Sequence, residues 1–212
     1  MRPNLLRPLL VRHSPRRRRS AAFTLIELLI AIAVVALIVT LAAPSFRNMI
    51  LMQRLRGTNA QLVTDLSLAR SEAVSRAQYV QVLFQKTSGA AGMSCYAIYM
   101  RSTVGFDSLC DCTAAEGARC PVGSGATEVR TVQVLNSESV FIAVPAGTTI
   151  YLIDPRTGGL VSPGIDEVGD PGENVLVDGF IDDARKLRNR VGLSGRVSVC
   201  IPPASTMGGD TC

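Results

Sequence analysis

Three kinds of residue in this chain have chemistry that can be named: one carboxylate inside an apolar run, Glu27; six cysteines; and a single histidine, His13. An ionised carboxylate costs about 2.5–3.5 kcal/mol or more at the middle of a bilayer and less near its surface. Glu27 therefore either sits close to an interface or needs a positive partner inside an apolar assembly. A free α-amine on a neighbouring chain would serve, and cleavage just before Phe23 would create one. The cysteines (Cys95, Cys110, Cys112, Cys120, Cys200 and Cys212) all follow the apolar run and are even in number, as a disulfide framework in an oxidising compartment requires. Cys200 and Cys212 would close a C-terminal loop, a closure worth about 3 kcal/mol. The other four would staple a Gly/Ala/Cys-rich excursion from Ser102 to Thr127. Zinc is the weaker alternative, because Cys110-x-Cys112 lacks the usual ligand gap and no histidine follows.

Catalysis finds little support. With His13 ahead of the apolar run, nothing after it can act as a histidine base in a Ser-His-Asp or Cys-His arrangement. No P-loop is present, and the acidic group Asp166, Glu167, Asp170 and Glu173 lacks EF-hand spacing, so it reads as a solvated loop. Asp182 and Asp183 read as solvent-facing. The expectation is a protein that is not an enzyme and holds neither cofactor nor metal. One basic run remains: Arg185, Lys186, Arg188, Arg190 and Arg196 within 12 residues. Such a run is most often a solvated face, and Asp178, Asp182 and Asp183 dilute it. Its functional reading is contact with DNA phosphates.

The elements that must position these residues begin with a topology signal. Of 212 residues 47% are hydrophobic and 18% charged, with a formal charge of +5. Seven arginines and no acid precede Phe23, which leaves 15 basic residues against 17 acidic ones afterwards. The excess charge thus belongs to residues 1–22, a basic tail with little to bury that reads as a cytoplasmic anchor under the positive-inside rule. Phe23 to Ala43 is apolar for 21 residues, enough to span a bilayer as a helix. The run is longer than the apolar core of a secretory signal, and Pro44 follows the small pair Ala42-Ala43, so a retained single-pass anchor is preferred to a cleaved signal.

Pro44 bends or loosens a helix that runs through it. Continuation is expected, because Leu55, Leu62, Leu66, Ala69 and Ala73 fall on one helical face and Glu72 and Arg76 have the favourable i,i+4 order. Beyond Tyr79 the chain reads as β: Val80–Phe84, Tyr96–Met100, Val129–Leu135, Val140–Val144, Thr149–Ile153 and Val197–Ile201 are short Val/Ile/Tyr-rich runs. The turn D-P-R-T-G-G sits between Ile153 and Leu160, and a second excursion runs from Ser162 to Asn174. The expected fold class is α+β, one long N-terminal helix against a small antiparallel sheet, or two. Its segments are 1–22 as leader, 23–46 as membrane helix, 47–78 as amphipathic continuation and 79–212 as head.

The string A-F-T-L-I-E-L-L-I-A-I-A-V-V-A-L-I-V-T-L-A-A-P-S-F resembles the N-terminus of type IV prepilins and pseudopilins. L-A-R-S-E-A (Leu68–Ala73), D-P-R-T-G-G-L (Asp154–Leu160) and S-G-R-V-S-V-C (Ser194–Cys200) resemble the GspH/FimT branch. The resemblance covers the first 80 residues well and the rest in patches. It implies cleavage between Ala22 and Phe23 by a prepilin peptidase, N-methylation of Phe23, and assembly roles for Glu27 and Pro44. The family usually has Gly before the cut, where this chain has Ala22. The implied protein is a minor pilin that primes a type IV pilus or forms its tip. Its partners would be other major and minor pilins, the peptidase and the inner membrane, with the head in the periplasm. The alternatives are a type II secretion pseudopilin and a DNA-binding minor pilin of natural transformation. For the last, Gly195-Arg196-Val197-Ser198 keeps the first arginine of a G-R-x-R pattern and lacks the second.

Overall fold

The computed structural model describes residues 23–89, 92–102, 110–145, 150–161 and 174–212. Among the described residues one α-helix, α1 (Leu25–Arg76), is followed by nine strands, and the chain divides into two compact units, residues 1–45 and 46–212. In the first unit the apolar side chains from Phe23 to Leu41 are solvent-facing all round, as lipid or neighbouring helices would require. The helix starts on a cap: the Glu27 N–H donates to Thr24 Oγ1 at 3.3 Å, satisfying one of the amides that the first turn leaves without a partner. Thr40 turns its hydroxyl back onto the Leu37 carbonyl at 2.8 Å, so the run presents no free hydroxyl there. Pro44 lies inside α1 and not at its end, and it has no N–H to offer the Thr40 carbonyl one turn earlier.

In the second unit α1 continues to Arg76 and buries Leu55, Leu62, Leu66, Ala69 and Ala73. These are the five residues of the apolar stripe. The helix ends in a left-handed residue, Ala77 (φ 51°), with the Gln78 N–H reaching the Ala73 carbonyl and the Ala77 N–H reaching Val74. This is the Schellman pattern, built here on alanine where glycine is preferred.

The strands are β1 (Tyr79–Lys86), β2 (Met93–Arg101), β3 (Ala126–Leu135), β4 (Phe141–Ala143), β5 (Ile150–Ile153), β6 (Leu160–Val161), β7 (Val175–Asp182), β8 (Arg185–Val191) and β9 (Val197–Cys200). They form two antiparallel sheets, in the orders β3-β2-β1-β5-β6 and β4-β7-β8-β9. Strands β6, β7 and β8 add to the expected set. The turn D-P-R-T-G-G joins β5 to β6 with Ile153 opposite Leu160.

The larger sheet is buried on both faces, which is why β1 and β2 read as near-continuous apolar runs. One face (Val80, Val82, Phe84, Tyr96, Ile98, Tyr151 and Ile153) packs with the helix stripe. The other (Leu83, Ala97 and Tyr99) packs with Cys95, Cys110 and Cys112. Three polar contacts, made by Asp65 and Asn59, tie α1 to the sheets at depth. Asp65 accepts from the Tyr96 hydroxyl at 2.7 Å and from Arg130 Nε at 2.9 Å. Asn59 Oδ1 accepts from Asn189 Nδ2 at 2.7 Å.

Candidate functional site

Among the expected assembly residues, Phe23 and Glu27 stand at the head of α1 with their side chains exposed, whereas Ala22 and His13 lie outside the described residues. With the helix beginning at Leu25, Glu27 is its third residue and its one first-turn acid. A carboxylate there is favoured by the positive end of the helix dipole, by about 0.3–1 kcal/mol when exposed. Thr24 and Glu27 also have the spacing of a capping box, S/T-x-x-E. The position of Glu27 in the first turn is a further, local reason for a carboxylate at that place.

All six cysteines are paired: Cys95–Cys112, Cys110–Cys120 and Cys200–Cys212, with no free thiol. The first bond ties the excursion to β2, and the second closes it on itself. Gln85 Oε1 accepts from the Cys112 N–H, and Gln133 Nε2 donates to the Cys112 and Ala114 carbonyls, so the stapled segment is fixed across the outer face of the larger sheet. No group of metal-ligating side chains is found among the described residues. The acidic group Asp166, Glu167, Asp170 and Glu173 lies outside them.

Four residues of the basic run lie on strand β8 and Arg196 stands in the turn just before β9, and most of the charge on β8 is spoken for. Arg188 makes two bonds to Asp178, from Nε at 2.7 Å and from Nη2 at 2.8 Å. That carboxylate raises the Arg188 pKa still further. Arg185 pairs with Asp182, and its side-chain hydrogen bond holds the Asp182 carboxyl below the usual range. Lys186 pairs with Asp183 at 2.7 Å and lies 5.7 Å from the centre of the Phe180 ring. Asp178 and Asp182 stand on β7 and Asp183 in the turn after it, so the acids that dilute the run in sequence neutralise it in space. For Arg190 and Arg196 no ion pair is found among the described residues.

A second constellation was not anticipated. The three motifs that carry the resemblance beyond the N-terminus, Leu68–Ala73, Asp154–Leu160 and Ser194–Cys200, converge. Arg70 on α1 lies against two glycines. A Cβ built on Gly158 (φ +65°) would fall 2.9 Å from Arg70 Nε. One built on Gly195 (φ +72°) would fall 2.1 Å from the Gly158 carbonyl oxygen and 3.3 Å from Arg70 Cδ. Both glycines are therefore required twice, for left-handed backbone and for close approach. The Leu160 N–H donates to the Leu193 carbonyl at 2.9 Å, joining the two turns. Beside this junction runs an open groove of about 530 Å³ lined by Ser67, Arg70, Ser71 and Val74 from α1 and by Gly195, Arg196 and Val197. Separation in sequence hid it, since neither turn announces the other.

Two family models match the chain: "Prokaryotic N-terminal methylation motif" over residues 17–43 and "Type II transport protein GspH" over residues 58–195. Among solved structures, the chain is similar to the type IV minor pilin FimU of Pseudomonas aeruginosa strain PAO1, at 15% identity over 72% of this chain and 90% of that one, with a TM-score of 0.45. A second crystal form of FimU gives 14% identity over 70% and 93%, with a TM-score of 0.43. No curated protein matches.

Proposed function

The chain belongs to the GspH family, and from that premise we propose that it is a minor pilin, made as a prepilin and built into a type IV pilus whose assembly it primes or whose tip it forms. The observation that carries this reading is a first-turn Glu27 at the head of an all-round apolar helix, inside a matched methylation motif. Trimming between Ala22 and Phe23, followed by methylation of the new amine, leaves a cation at Phe23. Glu27 of an adjacent subunit then neutralises it. Two unit charges about 4 Å apart attract by about 4 kcal/mol at an effective dielectric near 20, which matches the cost of holding the carboxylate in an apolar surrounding. The pair thereby favours one stagger between neighbouring helices over others. Pro44 gives the helix a weak point at which it can adjust as it leaves lipid for the filament. The head, carrying its disulfides, lies in the periplasm and then on the filament.

Mass spectrometry of the membrane-associated protein tests processing. The expected N-terminus is methylated Phe23; a chain that keeps Met1 in cells with an active prepilin peptidase overturns the reading. Glu27→Ala is expected to insert into the membrane as before and to be missing from sheared filaments, and normal incorporation would contradict the pairing. The description of the matched family favours a second reading, a pseudopilin of type II secretion. Deleting the gene and scoring piliation and secretion side by side separates the two.

A further inference from the structure

We propose that the groove between α1 and β9 docks an extended acidic segment of a neighbouring subunit, which adds as a strand to the edge of β9 left unpaired among the described residues and sets its carboxylates on Arg70 and Arg196. The inference rests on reading the chain as an assembly subunit.

The edge comes first. The four-stranded sheet ends on β9. The Gly192 N–H donates to the Arg196 carbonyl at 2.9 Å, and β8 pairs with β9 in the register Val191↔Val197, Arg190↔Ser198, Asn189↔Val199. Bonded and non-bonded pairs alternate in an antiparallel ladder, so Ser198 faces β8 while Val197 and Val199 turn their N–H and C=O groups outward. The next outward residue, Ile201, is already used. Its N–H donates to the Asp210 carbonyl at 2.8 Å, and its own carbonyl accepts from the Cys212 N–H at 3.0 Å. The tail that supplies these bonds is tied down by Cys200–Cys212. The open ladder is therefore short and lies beside the groove.

Charge comes second. Arg185, Lys186 and Arg188 are each in an ion pair, whereas neither Arg70 nor Arg196 is in one among the described residues. Arg70 lies against Gly158 through Cγ and Nε and against Gly195 through Cδ, and it lines the groove. Arg196 stands exposed on the opposite wall. Two arginines flanking a free edge suit carboxylates that recur on one side of an added strand, since alternate residues of a strand share a face. The strand would also meet aliphatic surface beside these arginines, for Val74, Leu193 and Val199 are each 45–50% exposed. This is strand addition, in which the backbone supplies affinity and the side chains selectivity.

A DNA duplex fits these observations less well. From Tyr79 onward the chain has ten basic residues against fourteen acidic ones, and two unpaired arginines on a small groove neutralise few phosphates.

The test uses the full chain in detergent and a fluorescent alternating Glu-Val octapeptide, with an alternating Lys-Val octapeptide and a short DNA duplex as comparisons. The Glu-Val peptide is expected to bind saturably and to lose about tenfold or more in affinity in Arg196→Glu. Val199→Pro removes an outward N–H without touching the bonds to β8, and should weaken the peptide while thermal melting of the head is retained. The proposal is overturned if the Glu-Val peptide does not saturate, if neither substitution changes its binding, or if the duplex binds more tightly and displaces it. A failure of processing at Phe23 would count against the minor-pilin reading and leave this binding result standing.

Discussion

Asp65 is 4% exposed and faces two donors, the Tyr96 hydroxyl and Arg130. Asp65→Ala would leave that hydroxyl buried without an acceptor and the guanidinium without its carboxylate, a loss of about 2–3 kcal/mol on the ordinary scale for buried partners. Denaturant unfolding of the head measures it, and Asp65→Asn, which keeps an acceptor, should lose less. The same neighbourhood sets an alkaline limit. Burial above all, then the Asp65 hydrogen bond, pushes the Tyr96 phenol well above its ordinary value, and burial does the same for Tyr151. A raised folded value means stability that is whole below an unfolded pKa of about 10 and is lost as the pH climbs past it. In an alkaline titration, Tyr96 and Tyr151 should therefore contribute phenolate absorbance only together with unfolding.

Among the elements, α1 makes the plainest prediction. Ala77 closes the helix at φ 51°, where a side chain is strained by roughly 1–2 kcal/mol. Ala77→Gly relieves that strain at some cost in chain entropy, so a gain of about 0.5–1 kcal/mol is expected and a rise in the melting temperature of the head checks it. The helix stripe was legible in sequence because it repeats every three or four residues and nothing competes with that signal. Strands β1 to β5 and β9 were legible from their Val/Ile/Tyr runs. Strand β8 was not, because R-K-L-R-N-R-V hides its alternation. Leu187, Asn189 and Val191 take one side, and Asn189 is wholly buried because Asn59 and the Val177 carbonyl accept from it. A polar residue at a core position reads as surface until its partner, 130 residues away, is seen. The groove was illegible for the same reason: Arg70, Gly158 and Gly195 acquire meaning only when the fold brings them together.

For the molecule as a whole, two of the three disulfides sit on one side of the larger sheet. Cys95–Cys112 and Cys110–Cys120 hold the segment that covers Leu83, Ala97 and Tyr99. Replacing Cys110 and Cys120 together by serine is expected to cost the head about 3 kcal/mol and to raise the binding of a hydrophobic dye, while the helix-side core is retained. Normal stability with no added dye binding would show that the segment stays in place by its hydrogen bonds alone.

That arrangement also puts events in order. Thiols stay reduced in a cytosol and pair only in an oxidising compartment. Until they pair, β1 and β2 present an apolar face with only weakly held cover, on a chain whose other end is already an apolar helix. Under the minor-pilin reading such a molecule would be a substrate for chaperones and proteases before it became a subunit. In the proposed minor pilin, oxidation of the head would act as a checkpoint: a tethered chain would become safe to crowd against its neighbours only after its sulfurs have reacted.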